Sequence, residues 1–198
     1  SVISSNEIVA FVGSADDNKV GIYASGISTI EGNIIDRTGA NGLRGLLIEG
    51  QTIVRKNTIN NANEWGIFVT PSGSGSLITE NVFTNTGNGI YLSSVSRNTT
   101  IEKNVFQLTG GTGVWCGDNS LATIKQNTLV GNSGGTGLHI QSNAHPTITG
   151  NIIGNFSTGT NAESSPFKLE YNDVYGNSTT MTGAGLPQQA GQLVTTNA

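Results

Sequence analysis

Few residues in this chain have side chains that could catalyse a reaction by proton transfer. The 198 residues include 13 aspartates and glutamates and only two histidines. We select Asp118, His139 and Glu49 as weak catalytic candidates, because carboxylate and imidazole groups exchange protons readily. Neither carboxylate has an obvious carboxylate partner, whereas a glycosidase generally needs two carboxyl groups at one sugar bond. The sequence therefore favours a non-catalytic protein and leaves an enzyme as the alternative.

Metal and cofactor chemistry has equally little support. Asp16 and Asp17 are adjacent, but their polar surroundings indicate an exposed loop, and consecutive side chains on a strand would diverge. A calcium ion is thus not supported, and we expect no metal and no cofactor. The single cysteine, Cys116, cannot form a disulfide within the chain. We expect it to be a small buried apolar residue.

A second set of side chains could bind a ligand rather than react with it. Aromatic rings and one imidazole recur along the chain at Tyr23, Phe68, Tyr91, Trp115 and His139, and Trp65 lies nearby. Rings combine apolar surface with polar atoms, and sugar rings offer apolar faces and polar edges. Whether these side chains can act together depends on the elements that position them.

The chain is organised by an internal repeat with the phrase aliphatic-x-x-Asn-x-apolar. Its asparagines follow one another in steps of 21 to 24 residues, at Asn33, Asn57, Asn81, Asn104, Asn127, Asn151 and Asn172. A nearly regular period of this length is typical of a solenoid, in which each coil covers the apolar face of its neighbour.

A second phrase, Gly-apolar-x-apolar, falls between the first ones. Its glycines are Gly21, Gly45, Gly66, Gly89, Gly113 and Gly137. Apolar spacing of two indicates strands, and the Gly, Asn and Ser clusters between the runs indicate turns. We predict three short strands per coil: the Gly phrase, the residues before the Asn, and the residues after it.

Stacked coils place equivalent residues about 4.8 Å apart, so each repeat position becomes a column. The asparagine column is interpreted as a structural ladder, because a buried amide at a corner can bond to the backbone and to the next amide. In the first strand the residue between the two apolar positions points outward. This outward column is Tyr23, Leu47, Phe68, Tyr91, Trp115 and His139.

The outward column supports two interpretations. In the first interpretation, the outward column is a binding strip for a polysaccharide, and Trp65 widens this strip. A polar column would lie on one side of it, and the glycines would form a strip without side chains on the other. Alternatively, stacked aromatic residues stabilise neighbouring coils, the glycines relieve strained turns, and Trp65 shields a turn. On the second strand and the turn position beside it, opposite charges become neighbours. We therefore predict cross-coil pairs of Glu31 with Arg55, of Glu80 with Lys56 and Lys103, and of Glu102 with Lys125.

The two phrases resemble those of the right-handed parallel β-helix repeat family within the pectin-lyase-like superfamily, over nearly the whole chain. The resemblance implies an all-β solenoid of about seven to eight coils whose first-strand sheet forms a substrate groove. It is weak for function, because the superfamily includes lyases, hydrolases, epimerases, adhesins and phage tail proteins. A lyase of this superfamily typically has a Lys or Arg base near the groove, and the outward column has none.

Charge and hydropathy exclude two kinds of partner. The net charge is −4, and nine lysines and arginines form no basic stripe, so we expect no nucleic acid. No apolar run approaches the roughly 18 residues of a membrane span, so we expect no membrane insertion.

The Asn phrase is present from the first residues of the chain, at Asn6, and the period is lost near the other end. We predict a β-helix domain over residues 1–177 and an irregular tail over 178–198 that covers the last coil. We also expect flanking domains of a larger secreted or cell-surface protein. The leading hypothesis is a non-catalytic module that binds a polysaccharide. The alternatives are a polysaccharide lyase or glycoside hydrolase, and a structural stalk or adhesin repeat.

Overall fold

The computed structural model of the chain describes residues 1–9, 19–36, 43–94, 97–163, 166–185 and 187–190. In these ranges the chain forms short strands and one 3-10 turn at Pro71–Gly73. The strands belong to three sheets, and every pair of neighbouring strands is parallel. Each turn of the chain contributes one strand to each sheet, so the fold is the predicted all-β solenoid of about seven coils. None of the helices in the described ranges is long and apolar enough to cross a membrane.

The sheets are numbered 1, 2 and 3 in the order in which the three predicted strands follow one another along a coil: the Gly phrase, the residues before the Asn, and the residues after it. Sheet 1 contains Lys19–Ala24, Leu43–Ile48, Trp65–Val69, Ile90–Leu92, Thr112–Cys116, Thr136–Ile140, Thr158–Ala162 and Thr179–Thr182. Sheet 2 contains Val2–Ser4, Ser28–Glu31, Thr52–Arg55, Leu77–Thr79, Arg97–Glu102, Leu121–Lys125, Thr147–Thr149, Phe167–Glu170 and Pro187–Ala190. Sheet 3 contains Glu7–Val9, Ile34–Asp36, Thr58–Asn60, Val82–Thr86, Val105–Leu108, Thr128–Val130, Ile152–Gly154 and Asp173–Tyr175.

The core lies between the three sheets and is built from columns of like side chains. Ile30, Val54 and Ile78 lie over one another in sheet 2, and all three are fully buried. In sheet 3 the rings of Phe83 and Phe106 stack with their centroids 4.4 Å apart. Burying a side chain of this size contributes roughly 1.5–3 kcal/mol. The parallel stacking makes that burial depend on the neighbouring coil.

The asparagine column is the buried ladder that the repeat predicts. The Nδ2 group of Asn57 donates to the Oδ1 of Asn81 at 3.0 Å and to the carbonyl oxygens of Ile30 and Arg55. Its Oδ1 accepts from the backbone N–H and the Nδ2 of Asn33. The same pattern repeats from Asn33 to Asn172, and these seven residues are all buried.

The residue before each ladder asparagine turns the chain between sheets 2 and 3. It has a positive φ in every coil, including Lys56, Glu80 and Lys103, whose φ angles are 55°, 57° and 55°. A left-handed residue with a side chain costs roughly 1–2 kcal/mol. The buried amide ladder that follows it offsets this cost, because it satisfies backbone groups on both sides of the corner.

The glycines of the second phrase point into the core, so the prediction that they form a bare strip beside the aromatic column is wrong. A Cβ added at Gly113 would lie 2.5 Å from Cδ2 of Leu129 in sheet 3 and 2.4 Å from the carbonyl oxygen of Gly137. Their φ angles are ordinary, so turn strain does not explain them either. Glycine is needed because a side chain there would collide both with the backbone carbonyl of the next coil in sheet 1 and with a side chain of sheet 3.

Two of the predicted sets of cross-coil ion pairs are present on the outer face of sheet 2. Arg55 lies 2.8 Å from Glu31, and Lys125 lies 2.9 Å from Glu102. The arginine guanidinium lowers the pKa of Glu31 below its usual value, chiefly through the hydrogen bond. The third set is wrong: Lys56, Glu80 and Lys103 stand at the corner with sheet 3, and among the described side chains no ion pair joins Glu80 to either lysine.

The segment after residue 177 continues two of the sheets. Thr179–Thr182 pairs with Thr158–Ala162 in sheet 1, and Pro187–Ala190 pairs with Phe167–Glu170 in sheet 2 with a shift in register. The described part of the predicted tail therefore contains two strands. The division of the chain at residue 177 stays a prediction.

Candidate functional site

The outward residues of sheet 1 form one straight column. Register pairing joins neighbouring members in turn, in the order Tyr23, Leu47, Phe68, Tyr91, Trp115 and His139. The residues on either side of each member, such as Ile90 and Leu92 beside Tyr91, are buried. This alternation turns the aromatic side chains outward, as predicted, while their role in binding stays a prediction.

The rings of this column stack on one another along the solenoid axis. The centroids of Phe68 and Tyr91 are 4.7 Å apart with planes at 25°, and those of Trp115 and His139 are 3.8 Å apart at 12°. Tyr91 and Trp115 are 6.0 Å apart and tilted by 42°. In the two stacked pairs the rings cover one another's faces, so a ligand outside the sheet would meet mainly their edges.

A second outward column widens this surface. Trp65 lies in register with Arg44, and its ring centroid is 5.1 Å from that of Tyr91 and 6.3 Å from that of Trp115. The Arg44 guanidinium sits 4.2 Å from the centre of the Phe68 ring and forms an ion pair with Glu64 at 2.8 Å. Trp65 thus contacts two members of the aromatic column, while its role in widening a binding strip stays a prediction.

A polar cluster adjoins the aromatic column at His139. Its Nε2 lies 3.0 Å from Oε1 of Glu163, and its Nδ1 lies 3.3 Å from Nδ2 of Asn161. With Asn161 donating to Nδ1, the imidazole carries its proton on Nε2 and donates it to Glu163. Oε2 of Glu163 accepts from the backbone N–H and the hydroxyl of Ser142. The N–H of Ser142, followed by His139, lowers the pKa of Glu163, so the carboxylate is ionised at neutral pH.

Sequence reasoning missed Glu163 and Asn161. The column does not end at His139 but continues through Asn161 and Thr182. A usable signal was Gly159, which stands 22 residues after Gly137 but introduces Thr160 where earlier coils have an aliphatic residue.

The three weak catalytic candidates are not brought together. Glu49 accepts a short hydrogen bond from the Tyr23 hydroxyl, which raises the pKa of that phenol. Asp118 follows a strand three coils further, about 14 Å along the axis, and accepts bonds from Asn119 and Asn143. Each candidate, including His139, is engaged with its own set of neighbours.

Within the described ranges, no group of three or more His, Cys, Asp or Glu side chains could hold a metal ion. Asp16 and Asp17 lie outside those ranges. Cys116 is buried, as predicted, and burial raises the pKa of its thiol to about 12.

A separate depression of about 440 Å³ lies over sheet 2, away from the aromatic residues. Its walls include the side chains of Ile27, Ile53 and Leu77. It contains none of the predicted site residues, so the aromatic column remains the candidate site.

Comparison with known proteins identifies the fold but not the ligand. The profile of one protein family, described as "Right handed beta helix region", matches residues 2–136 and 98–197. Together the two matches span nearly the whole chain. No curated protein and no solved structure matches the chain significantly.

Proposed function

Because the chain belongs to the right-handed β-helix family, we propose that it is a non-catalytic module that binds a polysaccharide along the outer face of sheet 1. The observation that carries the proposal is the unbroken outward column from Tyr23 to His139, with Trp65 beside it. Five coil intervals of about 4.8 Å give this column a length of about 24 Å. A straight surface of that length suits a linear polymer better than a single sugar.

The orientation of the rings suits the edges of sugar units. Aromatic rings carry partial positive charge on their edges, which favours contact with hydroxyl oxygens. Groups that accept hydrogen bonds from hydroxyls lie beside the rings, among them the carboxylates of Glu49 and Glu163. A polymer lying along the axis would meet an edge of a ring and a polar side chain in successive coils.

The proposal includes a secreted or cell-surface location, since structural polysaccharides occur mainly outside cells. This location is inferred from the class of ligand alone, so a result that refutes polysaccharide binding also removes the argument for the location.

Tryptophan fluorescence offers a direct test, because both tryptophans of the chain, Trp65 and Trp115, contact the proposed site. We expect a saturable change in emission with at least one member of a panel of neutral, acidic and amino polysaccharides. Trp65→Ala should weaken binding about ten-fold, measured by calorimetry. Tyr171→Ala, which removes an exposed aromatic residue elsewhere, serves as the control. No response to any polysaccharide would refute the proposal.

An enzyme is the second candidate, and the contact between His139 and Glu163 is the observation in its favour. A general acid for hydrolysis needs a raised pKa, whereas that of Glu163 is lowered, and both nitrogens of His139 already have partners. Release of unsaturated or reducing ends from the same panel, lost in Glu163→Gln, would replace our proposal with this one.

A structural stalk is the third candidate, because rings that stack on one another also stabilise neighbouring coils. In that case Tyr91→Ala lowers the urea midpoint of unfolding and no glycan binds the unmodified chain. A loss of glycan affinity in Trp65→Ala with an unchanged urea midpoint would exclude it.

A further inference from the structure

Charged side chains are unevenly divided between the faces of the solenoid. Most of the described basic residues lie on sheet 2 or at its corner with sheet 3, at Arg55, Lys56, Arg97, Lys103, Lys125 and Lys168. On the sheet 1 side, the described charged residues are Lys19, which begins the first strand of that sheet, Arg44, and the carboxylates of Glu49, Glu64, Asp118 and Glu163, together with His139.

Among the described residues of the sheet 1 side, one guanidinium is present, and it is already neutralised. Both Nε and Nη2 of Arg44 donate to the same oxygen of Glu64, at 3.1 and 2.8 Å, and the cation also rests on Phe68. Among the described side chains, this leaves Glu49, Asp118 and Glu163 without a basic partner other than the imidazole of His139. The described residues of the proposed binding face therefore carry a net negative charge, even with Lys19 counted.

Two of these carboxylates lie in one column beside the rings. The N–H of Glu49 donates to the carbonyl of Ala24, and that of Glu163 to the carbonyl of Ile140, so each directly follows its sheet 1 strand. Glu49 neighbours Tyr23 and Glu163 neighbours His139, at opposite ends of the aromatic column. A polymer that spans the column would pass both.

We infer that the ligand of this face carries no carboxylate or sulfate groups, and that a polymer of protonated amino sugars binds most tightly. The inference rests on the proposed function and specifies its substrate class. A polyuronate would place like charges beside Glu49, Asp118 and Glu163, whereas an ammonium group would pair with them. A neutral glycan meets the same hydrogen-bonding groups without either effect.

Three hexasaccharides test this ranking: β-1,4-linked glucosamine, β-1,4-linked glucose and α-1,4-linked galacturonate. Calorimetric titration at about pH 6 and low salt should give the highest affinity for the glucosamine hexamer and the lowest for the galacturonate hexamer. Raising the salt should weaken only the glucosamine complex, because screening acts on its charge pairs.

Isosteric variants assign the preference to particular side chains. Glu49→Gln and Glu163→Gln should each weaken the glucosamine hexamer about two- to five-fold and leave the glucose hexamer unchanged. Glu80→Gln, the same change of charge at the corner of sheets 2 and 3, should affect neither.

The possible failures separate the two claims. If no hexamer binds, the proposed function itself is refuted. If the galacturonate hexamer binds best, or all three bind equally, the face binds glycans but the inference about their charge is wrong. A glucosamine preference that persists in both glutamine variants also overturns it, because the carboxylates named here would not be its source.

Discussion

Replacing Asn104 by alanine tests the ladder that holds the coils together. The Nδ2 group of Asn104 donates to the carbonyls of Ile78 and Glu102 and to Oδ1 of Asn127, at 2.9 to 3.0 Å. Its Oδ1 accepts from the backbone N–H and the Nδ2 of Asn81. The substitution therefore affects four residues in three coils at one buried position.

The expected loss of stability is about 2–5 kcal/mol. The backbone N–H of Asn81 would be left buried without its acceptor, which costs about 1–3 kcal/mol. The hydrogen bonds that Nδ2 of Asn104 donates are also lost. Each of them whose acceptor is not reached by water in the variant adds about 0.5–1.5 kcal/mol. The Nδ2 of Asn81 keeps its bonds to the carbonyls of Val54 and Thr79 and adds nothing.

Urea unfolding followed by tryptophan fluorescence and circular dichroism measures this loss. Asn132→Ala, at an exposed turn position, is the matched control and should change the free energy of unfolding by less than about 0.5 kcal/mol. If Asn104→Ala were as mild as the control, the ladder would contribute nothing and the reasoning would be refuted.

Asn104→Asp adds a dependence on pH with a defined sign. A carboxylate at this position faces the carbonyl of Ile78 and Oδ1 of Asn127 with no proton to donate. Its ionised form is disfavoured in the folded state, so the folded pKa is raised above the unfolded value of about 3.9. The penalty should be smallest below that value and grow as pH rises toward the folded pKa. A penalty independent of pH would contradict this account.

Three further predictions concern other parts of the fold. Gly113→Ala should lower the free energy of unfolding in urea by about 2–4 kcal/mol, because the added Cβ would collide with the core. Gly26→Ala is the control and should be nearly neutral, because no atom lies within 4 Å of its added Cβ. Equal effects of the two substitutions would contradict the inward direction of the glycine column. The pKa of Glu163 is lower in the folded state than its value of about 4.3 in the unfolded state. The ionised carboxylate therefore stabilises the fold fully above the unfolded-state pKa, and this contribution is lost as the pH falls through the folded-state pKa. The melting temperatures of Glu163→Gln and of the unmodified chain should therefore converge as the pH is lowered into the acid range. A difference between the two melting temperatures that grows in acid would contradict the stabilising contacts of Glu163 with Ser142 and His139. Cys116 should resist thiol reagents at pH 8 until urea unfolds the chain, and rapid labelling of the folded protein would show that the thiol is not buried.

The columns of the solenoid could be predicted because the repeat period fixes which residues lie over one another. The steps between ladder asparagines place Asn57, Asn81 and Asn104 in one row whatever the details of the turns. Alternation along each short strand then fixes which side chains point outward. Both rules depend on backbone geometry alone.

Side-chain arrangement within the site was beyond sequence reasoning. The period indicates that Phe68 and Tyr91 are neighbours but not that their rings stack face to face, which depends on rotamers. Arg44 reaches Phe68 and Glu64 from a neighbouring coil, and no motif marks a long side chain that crosses between coils. The inward direction of Gly113 depends on how closely sheets 1 and 3 approach, which only the packed core determines.

The most direct test of the glycan-binding face is a ¹H–¹⁵N correlation spectrum recorded during titration with the glucosamine hexamer. The chain has two tryptophans, so the indole region contains two signals, from Trp65 and Trp115. We predict that both signals shift saturably with one shared Kd, while the amide of Tyr171 on the far side stays in place. Two indole signals that do not move at saturating hexamer, with Tyr171 or its neighbours shifting instead, would contradict a binding site on sheet 1.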